Sequence, residues 1–196
     1  MNRIYILFLF LVLSACSLSG TQKDSPRAPA QIEDPFLYLH SVAIGDRCTN
    51  CHVTGDRPLQ FDELEKRVHS MNVQRKIESL GMKCQSCHQE KNFDQPHMPP
   101  GAPHWALPHP KKGYNAKITP RELCEKWLNP DANFFELGDR RGQARNAQDL
   151  LEHVGHDPLV IWTWSPGAGR KPSMGTHAQF VQQFEKWVRA GAQCPQ

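Results

Sequence analysis

Two short stretches of this chain carry residues whose type and spacing imply chemistry: Cys48-Thr49-Asn50-Cys51-His52 and Cys84-Gln85-Ser86-Cys87-His88. Each reads C-x-x-C-H, the pattern that attaches a c-type haem. Two thiols so spaced reach the two vinyl groups on one edge of a porphyrin, and the histidine that follows turns its imidazole onto the iron. Cys48, Cys51, Cys84 and Cys87 are therefore the expected covalent attachment points of two haems, with His52 and His88 as proximal iron ligands. Two rival readings weigh less. A zinc ribbon separates its cysteine pairs by about 15–20 residues, and the stretch from Cys51 to Cys84 is well beyond that. Zinc also gives no reason for a histidine directly after both second cysteines. Thioredoxin-like dithiol chemistry needs a C-x-x-C near a βαβ pattern, which is not seen here.

A haem iron takes His or Met in its sixth position. Near the motifs the candidates are His40, His69, Met71, Met82, His97 and Met98. His69 is preferred, because it lies between the motifs and reaches either iron without long-range folding. For the other iron the field stays open among Met98, His97 and His153. His153 equally suits a packed core histidine bonded to backbone.

Several elements must position these groups. Asp62 with Glu65 three residues on reads as a helix start, with Leu64 and Val68 on one face and an end near His69 and Ser70. A second short helix is expected over Gln74–Leu80, stopped by Gly81. The proline-rich run from Gln95 to Pro110 excludes a regular helix or an inner strand. It suits a stiff wall over a haem face with Trp105 against the porphyrin, or a rigid linker. Three further helices follow from their caps. Thr119-Pro120-Arg121-Glu122 opens one through Leu128, Asn146 with Asp149 opens one closed by Gly155, and Thr176 with Gln179 opens one closed by Gly191. Phe180, Phe184, Trp187 and Val188 make a core-facing stripe on the last. Leu159–Trp164 reads as a short extended piece before a turn at Ser165-Pro166-Gly167.

The composition is poor in Val and Ile and rich in Pro, Gly and His, which argues against a β-sandwich or a doubly wound sheet. A mainly α, compact, loop-rich fold is expected. Haem plates would replace part of the missing aliphatic core. The formal charge of +3, without a long Lys/Arg run, gives no reason to expect nucleic-acid binding.

Residues 1–15 read as an export signal, with Arg3 before the apolar run Ile4–Leu13, which is too short to span a bilayer. The sequence Leu13-Ser14-Ala15-Cys16 resembles the bacterial lipobox, in which cleavage precedes a cysteine that receives lipid. The lipoprotein resemblance implies a mature chain beginning at a lipidated Cys16, and Ser17 after it fits the outer membrane. A plain signal peptide with a chance cysteine is the alternative. Residues 16–34 read as a flexible tether. Residues 35–196 then form one domain, divided into a haem-attachment region (35–110) and a C-terminal helical part (111–196). Subtracting lipid and haem cysteines leaves Cys124 and Cys194. An even remainder in an exported protein suggests a disulfide, worth about 4 kcal/mol on the loop-entropy model; two buried thiols are the alternative.

A family resemblance rests on longer stretches. The first motif with Gly55-Asp56-Arg57-Pro58-Leu59-Gln60, then His69-Ser70-Met71-Asn72-Val73, then the second motif with Pro100-Gly101-Ala102-Pro103-His104-Trp105 resembles a family of small bacterial proteins. These often carry the label "isoquinoline 1-oxidoreductase subunit". The resemblance runs from about Arg47 to Pro195. The label points toward molybdenum hydroxylases, but no stretch resembles a molybdopterin or iron–sulfur site.

The expected function is electron transfer by a membrane-anchored, periplasmic dihaem cytochrome c. Redox partner proteins are the expected partners, and a small-molecule substrate is not expected. The alternatives are a small haem oxidoreductase or peroxidase, which needs a displaceable sixth ligand, and a haem-based sensor or binding lipoprotein.

Overall fold

The computed structural model describes residues 32–62, 67–69 and 81–196. The expected signal, Cys16, most of the tether and the helix expected over Gln74–Leu80 lie outside these.

The described chain is mainly helical. The first helix, α1 (Pro35–Ala43), was not anticipated from its sequence. Asp34 caps it, its Oδ1 accepting from the N–H groups of Phe36 and Leu37, with Pro35 at the first helical position. Asp34, assigned to the tether, therefore already belongs to the fold, and Ile32 packs against the core. A one-turn helix, α2 (Asp46–Thr49), leads into the first motif. Then come two short antiparallel strands, β1 (Leu59–Gln60) and β2 (Arg67–Val68), with Leu59 opposite Val68 and Gln60 opposite Arg67. The helix expected to end near His69 is thus contradicted at its C-terminal end. Pairing with β1 satisfies the backbone there, and a two-residue spacing signal could not reveal a partner strand.

The C-terminal helices largely follow their caps. Helix α3 (Pro120–Leu128) starts in the capping box of Thr119 and Glu122. Helix α4 (Ala147–His156) starts in that of Asn146 and Asp149. It runs through Gly155 rather than stopping there, and ends where Asp157 precedes Pro158. Leu159–Trp164 is not extended: Asp157 accepts from the Leu159 N–H and Pro158 occupies the first position of a short helix, α5 (Pro158–Trp162). Its apolar run was short enough to suit either state. Helix α6 (His177–Arg189) has the third capping box and buries Phe180, Phe184 and Trp187; Gly191 beyond it takes φ +86, which favours glycine.

The core lies among α1, α3, α4 and α6. Phe36 of α1 meets Trp127 of α3 at 5.5 Å and Trp187 of α6 at 5.1 Å between ring centroids. The Cys124–Cys194 disulfide ties α3 to the segment after α6. Helix α1, in the stretch expected to carry the haems, thus packs with helices of the C-terminal part. From Ile44 to Ile118 the only buried apolar side chains among the described residues are Val53, Ala102 and Tyr114. This region is held by turns and polar contacts instead. Among the described residues no helix is long and apolar enough to cross a membrane.

Candidate functional site

Both C-x-x-C-H stretches adopt the same local conformation. In the first, the Cys48 carbonyl accepts from the N–H groups of Cys51 (3.2 Å) and His52 (2.9 Å). In the second, the Cys84 carbonyl accepts from Cys87 (3.2 Å) and His88 (3.0 Å). One helical turn brings residues three and four apart onto one face. Each turn therefore presents two thiols and an imidazole on the same side. The four thiols stand outside the disulfide. Burial, with Cys51 adding to it and Arg47 opposing, pushes the Cys48 thiol up to about 12.

Each histidine is oriented by a later segment. His52 Nδ1 lies 3.2 Å from the Lys112 carbonyl oxygen, and His88 Nδ1 lies 2.7 Å from that of Pro100. A carbonyl only accepts, so in each ring the proton sits on Nδ1 and the lone pair on Nε2. Burial pushes His52 down to about 4, and it also lowers His88. Both imidazoles are thus held neutral, with the lone pair on Nε2 as the nitrogen that could bind a metal. An aromatic ring stacks on each. Tyr114 lies 5.4 Å from His52 at 25°, and Trp105 lies 4.4 Å from His88 at 1°.

A glycine directly follows each acceptor carbonyl, and in both places the chain passes too close for a side chain. A Cβ on Gly113 would lie 2.1 Å from the Val53 carbonyl oxygen; one on Gly101 would lie 2.0 Å from that of Lys91. Asn92 holds the second approach in place. Its Oδ1 accepts from Gly101 N–H (3.0 Å) and Trp162 Nε1–H (2.9 Å), while its Nδ2 donates to the Ser165 carbonyl (2.9 Å). Trp162 in turn sets its edge against Trp105 at 5.0 Å. At the first site Glu136 performs the equivalent task, accepting from His109 N–H (3.0 Å) and Lys112 Nζ (2.6 Å).

The residues present fit haem. A proximal histidine needs a lone pair at Nε2 and an acceptor at Nδ1, and both sites supply them. Among the described residues between Ile44 and Ile118 few apolar side chains are buried. Nε of Arg47 and Nε of Arg57 are buried without a hydrogen-bond partner among the described residues, and haem propionates are carboxylates that suit guanidinium groups. A cavity of about 490 Å³, lined by Asp46, Arg47, Asp62 and Lys171 among others, includes none of the motif cysteines or histidines.

The distal candidates fall in different places. His69 follows β2 and lies beside His88, their ring centroids 6.3 Å apart. His153 lies on α4 with Nδ1 3.1 Å from Asp157 Oδ2, so it is bonded to a carboxylate rather than to backbone. Met98 is 40% exposed, and its carbonyl accepts from Arg170. His40 places Nε2 against the Ile118 carbonyl at 2.8 Å. Trp105, in the proline-rich run, stacks on the imidazole of His88 and supports its flat face. Pro100, Gly101, Lys112, Gly113 and Tyr114 escaped sequence reasoning as site residues. The only signal for them was a Gly after a polar or proline residue at similar roles behind each motif. No family model, curated protein or solved structure matches this chain.

Proposed function

We propose that this chain is a dihaem c-type cytochrome that carries electrons. One observation carries the reading furthest: two separate C-x-x-C-H turns each have their histidine bonded through Nδ1 to a backbone carbonyl. Cys48 and Cys51 would hold one haem and Cys84 and Cys87 the other, with His52 and His88 as the proximal ligands. Bound haem would supply a one-electron Fe(III)/Fe(II) couple. The protein's part is to orient each imidazole, keep it neutral, and limit water. The carbonyls of Lys112 and Pro100 fix the tautomer, which raises the basicity of Nε2. Each transfer takes one electron from one redox partner protein and gives it to another, with no atom moved. Cys16 would carry the lipid that keeps the domain at the periplasmic face, the outer membrane being the favoured site.

The test is haem content. The full-length gene is expressed with haem-maturation machinery, and an alkaline pyridine spectrum is recorded against protein concentration. Two c-type haems per chain are expected. A colourless protein of correct mass and fold would overturn the proposal.

A further inference from the structure

We propose, resting on the haem reading above, that the iron held by the second motif is bound by two histidines, His69 opposite His88. The pair is set by geometry. Their ring centroids stand 6.3 Å apart. An iron about 2 Å from one nitrogen of each ring puts the ring centres roughly 6 Å apart. The 56° between the ring planes is no obstacle, since each ring turns freely about its own metal–nitrogen axis. The backbone of His69 is gripped from both sides. Its N–H donates to the Pro58 carbonyl (2.9 Å), and its carbonyl accepts from Arg57 Nη2 (2.9 Å). The antiparallel pairing of Gln60 with Arg67 and Leu59 with Val68 fixes the register immediately before it. A histidine held this firmly beside another is placed to share a ligand with it.

Among the described residues the competing groups are engaged or turned outward, and Met71 lies outside them. His40 and His177 place Nε2 against the carbonyls of Ile118 and Val154, both at 2.8 Å. Met82 and Met98 are exposed. Two imidazoles on this iron leave it no displaceable position, so the ligation favours electron transfer over peroxidase or gas-sensing chemistry there, and it sets a lower potential than a His/Met pair would.

The test uses the full-length holoprotein and reads ligation, not turnover. Haem content is measured first, so that failure of the haem reading is seen separately. The ferric optical, near-infrared and electron paramagnetic resonance spectra of the parent are expected to include a low-spin bis-imidazole iron. His69→Ala is expected to keep two covalent haems but convert one of the two to high spin, and added imidazole should restore the low-spin signal. Should that variant fail to fold, His69→Met is expected to replace one bis-imidazole signal by a methionine–iron charge-transfer band. Two haems with no bis-imidazole signal in the parent would overturn the assignment without touching the haem reading. So would a His69 variant in which both irons keep the parent's ligation. A chain without haem overturns both.

Discussion

Replacing Gly113 by alanine isolates one contact that holds the first site. Gly113 has φ −73 and ψ 148, a backbone conformation open to any residue. Alanine therefore meets no torsional penalty, and the effect is purely one of space. The added Cβ would sit 2.1 Å from the Val53 carbonyl oxygen and 2.4 Å from its carbon. Both are backbone atoms and cannot swing aside. Moving the oxygen contact from 2.1 Å to the 3.0 Å that real Cβ atoms respect parts the two segments by about 0.9 Å. The bond from His52 Nδ1 to the Lys112 carbonyl, already 3.2 Å long, does not survive such a shift. Overpacking costs about 1–3 kcal/mol, and losing a hydrogen bond costs about 1 kcal/mol more. The sum, about 2–4 kcal/mol, lowers the melting temperature of a domain this size by roughly 5–15 °C. Thermal unfolding followed by far-ultraviolet circular dichroism reads this directly. Gly55→Ala is the control, because nothing lies within 4 Å of a Cβ at that position. If Gly113→Ala melts within about 1 °C of the parent, as the control should, the close approach behind His52 is not real.

Three further outcomes are expected. Gly155→Ala should stabilise by about 0.5–1 kcal/mol, because Gly155 lies inside α4 with open space around it; a lower denaturation midpoint would show that the helix does not run through it. Cys194→Ser should cost about 4 kcal/mol by opening a loop of 70 residues, and urea unfolding with and without reductant should give the same loss in the parent. Asp149 sits below the usual carboxylate range, chiefly because the Arg140 guanidinium bonds it, with Asn146 N–H adding to this and burial opposing. Its folded value is depressed, so its contribution is fully present above pH 3.8 and is lost as pH falls through the folded value. Asp149→Asn should therefore flatten the acid limb of the stability–pH curve below pH 3.8; an unchanged limb would refute the assignment.

The caps were the most legible part of the sequence. Thr119, Asn146 and Thr176 each combine with an acceptor three residues on, and that pairing is a local interaction that needs no tertiary partner. The disulfide was legible by arithmetic alone. Helix α1 was not, although Asp34-Pro35 is a start signal, because its apolar face winds with little periodicity and is buried almost all round. Leu159–Trp164 failed because so short an apolar run suits helix and strand alike, and the cap at Asp157 decided it. Of the candidate site, the cysteines and histidines were visible as a motif. Their supports were not, since a backbone carbonyl carries no signature in sequence and Lys112 lies 60 residues from the ring it orients.

The two oriented histidines are nested along the chain. The bond that fixes His88 closes over 12 residues, and the one that fixes His52 closes over 60 and contains the other entirely. Closing the longer span costs about 1.4 kcal/mol more chain entropy, before anything is gained from the shorter one. The inner half-site is thus expected to order first, with its glycine, its proline carbonyl and Trp105 all supplied from the next few turns of chain. Only when Lys112 and Tyr114 have come back to His52 does the outer one close, and by then the inner segment has become part of the span that must return. Pulsed hydrogen exchange during refolding should find the His88 amide protected before that of Tyr114, which donates to the His52 carbonyl; the reverse order would mean that the outer closure nucleates the fold.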